Sequence, residues 1–271
     1  MTSDNPASRR DRRRRRTGTV LRIAAALALA GGVYASFAPG LASAKDDSQL
    51  SQAARDGKAM FDTSCTSCHG PAGQGVADRG PSLIGVGSAA VEFQVSSGRM
   101  PMARQESQAL RKQPMFTDEQ AQQMGEYIQE LGGGPKLPTG PLGLTGTAEA
   151  KAEQVSRGGQ LFRLNCGACH AAATGGGALS SGKFAPNLEH ATDRQIYAAM
   201  LTGPQNMPVF GDNQLTPDEK REVIAYVHTM QAQEPGGWGL GKLGPVTEGL
   251  AIFFLGMTAL IFTTLWIAGK S

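Results

Sequence analysis

Four cysteines and two histidines form the same short pattern at two places in this chain of 271 residues. The pattern is Cys-x-x-Cys-His, and its two copies use every cysteine in the sequence. This spacing is typical of a covalent attachment site for c-type haem, where two thiols bond to one porphyrin and the adjacent histidine binds the iron. The residues are Cys65, Cys68, His69, Cys166, Cys169 and His170. Two covalently bound c-type haems are therefore predicted.

Other uses of paired cysteines explain less of the pattern. A zinc site would combine cysteines about a hundred residues apart and would leave the adjacent histidines without a role. A thioredoxin-like dithiol requires a βαβ pattern, which is not visible here. No cysteine remains for a structural disulfide, so the chain is not a disulfide-stapled domain.

The haem pentapeptides belong to a longer internal repeat. Gly57 and Phe61 recur 101 positions later as Gly158 and Phe162. Within each half the two residues are four apart and share one face of a helix, so a short helix is expected to lead into each pentapeptide. Downstream, residues 81–83 (Pro-Ser-Leu) correspond to 186–188 (Pro-Asn-Leu), and Met100-Pro101 corresponds to Met207-Pro208.

Each half is predicted to end with an amphipathic helix. Thr117 with Gln120, and Thr216 with Glu219, fit capping boxes, and Pro217 suits the first position of its helix. Apolar and aromatic residues then recur at helical spacing. They are Met124, Tyr127, Ile128 and Leu131 in the first half, and Val223, Ile224, Tyr226, Val227 and Met230 in the second.

In these residues each half resembles a class I cytochrome c domain. The resemblance covers about 180 residues and rests on four elements that occur twice in one order. It implies an all-α fold of two tandem class I cytochrome c domains, to which a C-terminal transmembrane helix is added. It also implies that both axial positions of each haem iron are filled, which favours electron transfer over substrate binding.

The resemblance further implies a ligand set. His69 and His170 are the expected proximal ligands, and Met207 is the expected distal ligand in the second half. In the first half Met100 is preferred because it precedes proline as Met207 does, with Met102 and then Met115 as alternatives. The carbonyls of Pro81 and Pro186 are expected to accept hydrogen bonds from the proximal histidines. His190 and His228 remain as candidates for a bis-histidine haem, although surface positions are expected for both.

The two ends of the chain differ from the middle in composition. Seven arginines lie within residues 9–16, an apolar run covers 23–37, and Ala42-Ser43-Ala44 follows, which is the layout of a secretory signal or an uncleaved anchor. Residues 249–269 carry no charge and are long enough to cross a membrane. Trp266 and Lys270 suit the membrane interface and its cytoplasmic side. The haem domains are therefore expected on the outer, periplasmic face of the plasma membrane, with the C-terminus in the cytoplasm.

The formal charge of +3 comes from the N-terminal arginines. Residues 45–271 carry 18 basic and 21 acidic residues, so nothing in them indicates nucleic-acid binding. The predicted divisions are a signal or anchor (1–44), a first cytochrome c domain (46–131), a linker (132–149), a second cytochrome c domain (150–233), a juxtamembrane linker (234–248) and a transmembrane helix (249–269).

Taken as a whole, this order of parts resembles the dihaem cytochrome c subunits of actinobacterial-type cytochrome bcc complexes, which are menaquinol–cytochrome c reductases. The resemblance implies three partners: a cytochrome b subunit, a Rieske iron–sulfur subunit, and an aa-type cytochrome c oxidase in a supercomplex. The first domain would receive electrons and the second would deliver them. The alternatives are a dihaem subunit of a cbb-type oxidase or membrane dehydrogenase, a dihaem peroxidase, and a haem-based sensor.

Overall fold

A computed structural model gives the structure of residues 6–37, 47–233 and 245–270. These residues are mostly helical, which confirms the predicted all-α class. The helices are α1 Pro6–Phe37, α2 Gln52–Ser64, α3 Thr66–His69, α4 Gly87–Ser96, α5 Asp118–Gly132, α6 Ala148–Asn165, α7 Gly167–His170, α8 Asp193–Thr202, α9 Pro217–Ala232 and α10 Pro245–Ala268. Two short strands, β1 (Gly177–Ala178) and β2 (Phe184–Ala185), pair antiparallel with Gly177 opposite Ala185.

In the first half, α2 packs against α5, and a glycine allows the two backbones to meet. A Cβ added at Gly57 would overlap the main-chain carbonyl of Gln123 in α5. One turn further along α2, the ring of Phe61 lies 5.3 Å from the ring of Tyr127 at a tilt of 58°. Both rings are buried, so the repeated glycine and phenylalanine fix how α2 crosses α5.

The second half repeats this arrangement with α6 and α9. A Cβ at Gly158 would overlap the carbonyl of Glu222, and the rings of Phe162 and Tyr226 lie 5.3 Å apart at a tilt of 45°. The closing helices α5 and α9 both begin with the predicted capping boxes, in which threonine and the residue at the third helical position exchange hydrogen bonds. The predicted entry and closing helices are thus confirmed.

Helices α4 and α8 were not predicted, and they join the two halves. Most of α4 is buried, including its polar residues Ser88, Glu92 and Ser96, because it packs against α5 on one side and α8 on the other. A helix that is covered on two sides shows no amphipathic pattern. For α8 a signal was present: Thr192 and Gln195 form a third capping box.

The segment between α5 and α6 is non-helical, but it is packed. Leu137 and Leu142 are 6% and 5% exposed and belong to the same apolar cluster as Phe162 and Val223 of the second half. Helix α6 begins at Ala148, within the stretch predicted as linker, because the Thr147 side chain caps it by accepting a hydrogen bond from the amide of Ala150.

Two helices are long and apolar enough to cross a membrane by length and composition, among the residues that the structure describes. One is the Arg16–Val33 portion of α1, which lies in the separate unit of residues 1–48. The other is the Thr247–Ala268 portion of α10, with a mean hydropathy of 2.2 against 1.2 for the first. The Ala42-Ser43-Ala44 motif and residues 234–244 of the predicted juxtamembrane linker lie outside the described residues.

Candidate haem sites

Each pentapeptide forms a single helical turn that is separated from the helix before it by a break at the first cysteine. In the first half, Cys65 ends α2 and precedes α3, with φ −121° and ψ −26° in place of helical values. Its amide donates to the carbonyl of Phe61 at 2.8 Å, and its own carbonyl accepts from the amide of His69 at 2.9 Å. The same turn recurs at Cys166, with φ −120° and ψ −29°. Local hydrogen bonds therefore bring both cysteines and the histidine of each pentapeptide together.

In both halves the histidine of the pentapeptide is held by a proline carbonyl. Nδ1 of His69 lies 2.8 Å from the carbonyl oxygen of Pro81, and Nδ1 of His170 lies 3.0 Å from that of Pro186. A carbonyl only accepts, so Nδ1 carries the proton and donates it. This tautomer leaves Nε2 with a lone pair that can bind a metal ion.

One cavity in the second half is lined by all the residues that the sequence predicted to hold a haem there. Cys166, Cys169, His170, Pro186 and Met207 line it. Its walls are mostly apolar and include parts of α6, α8 and α9, the loops that follow β2 and α8, and a few residues of the first half. The apolar lining includes Phe162, Leu188, Ile196, Met200, Phe210 and Val227.

The loop that carries Met207 is fixed by its own backbone. Gly203 ends α8 in the left-handed conformation (φ +56°), and a Cβ there would lie 2.7 Å from the carbonyl oxygen of Met207. The amide of Met207 donates to the carbonyl of Pro204 at 3.1 Å, and the amide of Phe210 donates to that of Met200 at 2.7 Å. Met207 therefore sits on a closed turn whose backbone is held by its own hydrogen bonds.

In the first half, Met100 packs into the apolar cluster of Val95, Ala121 and Met124, which Cys65 also borders. The amide of Met100 donates to the carbonyl of Gln94 at 3.0 Å. Of the two alternative sulfurs, Met102 is half-buried and Met115 is 72% exposed.

The local environment favours the neutral forms of Cys65, Cys166 and His170. Burial, and to a lesser degree the neighbouring thiols of Cys68 and Cys169, raises the pKa of Cys65 and of Cys166 to about 11. Burial lowers the pKa of His170, opposed by its hydrogen bond to Pro186. Neutral thiols are poor zinc ligands and weak redox nucleophiles, whereas a neutral imidazole is the form that binds iron.

The remaining histidines do not line the cavity of the second half. His228 lies on α9, where its Nε2 meets the carboxylate of Asp193 and its Nδ1 lies 2.7 Å from the side-chain oxygen of Gln231. His190 is exposed, and its carbonyl accepts a hydrogen bond from Arg111 at 2.8 Å.

Sequence reasoning missed four residues of the first half that line the cavity of the second: Phe93, Arg99, Gln108 and Arg111. It also missed the hydroxyl of Tyr226, which donates to the carbonyl of Ala172 just after the second pentapeptide, at 2.8 Å. The position of Tyr226 in the repeat was a usable signal for its contact with Phe162. No local pattern marks the four residues from the first half.

The residues present fit a covalently bound haem. Two cysteine thiols, an imidazole with Nε2 available and the thioether of Met207 line one largely apolar cavity in the second half. This is the donor set of a c-type site with histidine and methionine as axial ligands. Among the residues that the structure describes, no group of three or more His, Cys, Asp or Glu is arranged to hold a metal ion directly.

Comparisons with known families identify both halves separately. The family described as "Cytochrome c" matches residues 54–132. The family described as "Cytochrome C oxidase, cbb3-type, subunit III" matches residues 153–227. Both matches support the cytochrome c domains predicted from the internal repeat, and c-type haem is the group that such domains bind covalently.

Three curated relatives match nearly the whole chain, and each is named "Cytochrome bc1 complex cytochrome c subunit". The protein of Mycobacterium bovis is 50% identical over 270 residues, covering 99% of this chain and 96% of the relative. That of Mycobacterium leprae is 49% identical, with 93% and 87% covered. That of Corynebacterium efficiens is 48% identical, with 92% and 90% covered. The similarity therefore extends beyond the two haem domains to the ends of the chain.

Proposed function

Because the chain belongs to the family of cytochrome bc1 complex cytochrome c subunits, we propose that it carries electrons through two covalently bound haems, from a Rieske iron–sulfur subunit to a terminal oxidase. It would do so as the electron-transfer subunit of a quinol–cytochrome c reductase, a respiratory translocase, with no independent catalysis. The observation that carries the proposal is the single cavity shared by Cys166, Cys169, His170 and Met207, together with the repeat of the same residue types in the first half.

In each half the chain has a complete set of residues for holding one haem. Cys65 and Cys68, or Cys166 and Cys169, would form the thioether bonds. His69 with Met100, and His170 with Met207, would be the axial ligands. When bound, the haem supplies one-electron redox chemistry, and a methionine sulfur favours the ferrous state.

The protein then contributes orientation and exclusion of water. The carbonyls of Pro81 and Pro186 hold the imidazoles in the tautomer that binds iron. If a thioether and an imidazole both bind the iron, no coordination position would remain for a substrate. This separates an electron carrier from a peroxidase, which needs an open or displaceable ligand.

Membrane anchoring by α10 is part of the proposal. The helix has 24 residues and an apolar window of 22, and about 20 residues suffice to cross the hydrocarbon core. At its C-terminal end, the ammonium of Lys270 lies 4.1 Å from the ring centroid of Trp266, a pair suited to the membrane interface. With the arginine cluster of residues 9–16 on the cytoplasmic side, the haem domains lie on the outer face of the plasma membrane and the C-terminus lies in the cytoplasm.

The partners we propose are a cytochrome b subunit, a Rieske iron–sulfur subunit and an aa-type cytochrome c oxidase. In this arrangement the first domain accepts electrons and the second delivers them. The packed interface between α4 and α8 supports direct transfer between the two haems, since it holds the halves in one arrangement.

Purification of the full-length chain from its native membrane in mild detergent tests the proposal. We expect the pyridine haemochrome to give two c-type haems per chain, with co-purified b-type haem and menaquinol oxidation. One haem per chain, or a chain that purifies with both haems but without b haem and without quinol oxidation, would contradict it.

A second candidate is a dihaem subunit of a cbb-type oxidase, which the family match of residues 153–227 favours. That match covers one domain, whereas the relatives named as bc1 subunits cover nearly the whole chain. The same purification separates the two cases: a cbb-type assembly would reduce oxygen without a Rieske cluster and would not oxidise quinol.

A further inference from the structure

The cavity of the second half is closed on one side by the first half. A segment after α4, which we call the bridging segment (residues 99–111), contributes Arg99, Gln108 and Arg111 to the lining. It is tied to the second half by side-chain amides. Gln108 donates to the carbonyl of Phe184 at 2.6 Å and accepts from its amide at 3.2 Å. Gln205 donates to the carbonyl of Ala109 at 3.1 Å.

The base of the bridging segment is equally constrained. Gly98 has a φ of +69°, and a Cβ there would overlap the carbonyl of Lys112, so the two ends of the segment lie against each other. The ammonium of Lys112 donates to the carbonyl of Pro101 at 2.9 Å. The segment is therefore a closed loop, and its position over the cavity is fixed by contacts at its base and along its length.

The charges that line this cavity are all positive. Arg99, Arg111 and Lys183 are present, and the lining contains no aspartate or glutamate. Lys183 donates to the side-chain oxygen of Asn206 at 2.9 Å. Arg111 donates to the side chain of Gln195 at 3.1 Å and to the carbonyl of His190 at 2.8 Å. All of these partners are neutral.

Arg99 is the most confined of these cations. It is 8% exposed, and its guanidinium lies 4.8 Å from the ring centroid of Phe93. Its guanidinium is charged at neutral pH, as arginine side chains are in proteins. Among the described residues it forms no ion pair with a carboxylate. A buried charge without a counter-charge is costly, so a bound carboxylate beside Arg99 would stabilise this side chain.

We propose that Arg99 and Arg111 of the first domain bind the propionate carboxylates of the haem held by the second domain. This rests on the proposed function, in which Cys166, Cys169, His170 and Met207 hold that haem. A porphyrin with propionate groups matches this cavity. Its apolar ring suits the apolar walls, and its two carboxylates suit the two guanidinium groups. Arginine suits the task because its planar fork makes paired hydrogen bonds to a carboxylate.

The first domain therefore completes the second haem site and shifts the equilibrium between the ferric and ferrous states of that haem. Positive charge beside a haem disfavours the ferric state, which carries one more positive charge than the ferrous state. Arg99 and Arg111 thus make reduction of the second haem more favourable. Because Arg99 and Arg111 line the cavity of the second half, the larger effect is expected at the second haem.

The test is a potentiometric titration of the full-length, haem-loaded chain in detergent, followed at the c-type absorption band. A Met207→His variant identifies the second haem, because an imidazole in place of the thioether lowers its potential. We expect Arg99→Gln to make reduction of that haem about tenfold less favourable, which is about 59 mV for one electron. Arg99→Lys should retain most of the wild-type value, since it keeps the charge.

Arg104→Gln is the matched control, because Arg104 lies in the same segment but its side chain is 83% exposed and pairs with Glu106. If Arg99→Gln yields no folded protein, the more exposed Arg111→Gln is measured in its place, with the same direction expected. Unchanged potentials in Arg99→Gln or Arg111→Gln would overturn the proposal, as would an equal shift in Arg104→Gln. A wild-type chain with fewer than two haems would instead overturn the proposed function.

Discussion

Arg99 and Met100 are adjacent in the chain, yet their side chains border different candidate haem sites. Met100 packs with Val95 and Met124 in the core of the first half, whereas Arg99 lines the cavity that contains Met207 in the second. One short segment therefore serves both candidate haem sites. A change in its conformation would alter the surroundings of both sites at once, and separating the halves would remove Arg99 from the cavity.

The thioether of Met207 is expected to be the distal ligand of the second haem. Met207→Leu should remove about half of the far-red thioether-to-iron charge-transfer band of the fully ferric, full-length protein, because one of two equivalent bonds is lost. Met230→Leu is the control, since Met230 is a partly buried methionine that does not line the cavity. Full retention of the band in Met207→Leu would remove this residue from the ligand set.

The first half offers a choice of sulfurs that the same band resolves. Met100→Leu should remove the other half of the intensity, and Met102→Leu should leave it unchanged. Met100 is the expected ligand because its backbone is held by Gln94 and its side chain packs in the cluster that Cys65 borders. Loss of the band in Met102→Leu alone would reverse the assignment.

The glycines at the two helix crossings are expected to be essential for packing. Gly57→Ala and Gly158→Ala should each lower the free energy of unfolding by about 3 kcal/mol, because the added methyl group overlaps a main-chain carbonyl that cannot move alone. Gly167→Ala is the control: its Cβ would meet only the carbonyl oxygen of Phe162, at 3.7 Å. Thermal unfolding of the haem-loaded chain provides the measurement, and equal melting temperatures for all three variants would argue against this account.

An ion pair between Glu92 of α4 and Arg194 of α8 joins the two halves. The Glu92 side chain is 9% exposed and that of Arg194 is 42% exposed, and the Nη2 to Oε2 distance is 2.8 Å. Arg194→Met should lower the free energy of unfolding by about 3 kcal/mol, because it leaves the buried carboxylate of Glu92 without its counter-charge. Glu92→Gln should cost less, since the remaining arginine can reach water.

Denaturant unfolding measures both changes, and combining Glu92→Gln with Arg194→Met should recover part of the loss. Arg104→Met removes an exposed ion pair and should change stability by less than about 0.5 kcal/mol. A larger loss in Glu92→Gln than in Arg194→Met would contradict the argument from burial.

The capping box of α9 predicts a pH dependence that the capping box of α5 lacks. The Glu219 carboxylate accepts from the amide of Thr216 at 2.7 Å, and hydrogen bonds to the backbone and then the side chain of Thr216 lower its pKa below 4.5. A lowered folded-state pKa stabilises the fold above the unfolded pKa, and this stabilisation is lost as the pH falls through the folded value. Glu219→Gln should therefore lower the free energy of unfolding by about 0.5 kcal/mol at neutral pH and leave it unchanged in strong acid.

Melting curves at neutral and acidic pH test this expectation. In the first half Gln120 occupies the equivalent position with an amide that does not titrate. The destabilisation caused by Gln120→Ala should accordingly be the same at both pH values. A Glu219→Gln difference that persists unchanged into acid would show that the charge contributes nothing.

Much of the site could be predicted from the sequence because haem attachment is a local pattern. The cysteine spacing, the adjacent histidine and the capping residues are each recognisable within a few positions of the sequence. The haem pentapeptide also recurs 101 residues later, so each half supports the interpretation of the other. The predicted closing helices begin at their capping boxes as expected. Helix α4 was missed for a physical reason: packed on two sides, it has no polar face from which a period can be read.

By itself, then, the sequence predicted which atoms would bond to haem, located the capping boxes at which the closing helices begin, and revealed two halves with the same order of motifs. The tertiary structure alone decided what surrounds those atoms. Arg111 reaches the carbonyl of His190, 79 positions further along the chain, and Glu92 reaches Arg194 across 102. Such contacts follow from how α4 packs on α8. Two segments that are distant in the sequence bury these groups only when they pack together. Burial and charge compensation therefore cannot be read from any short stretch of sequence.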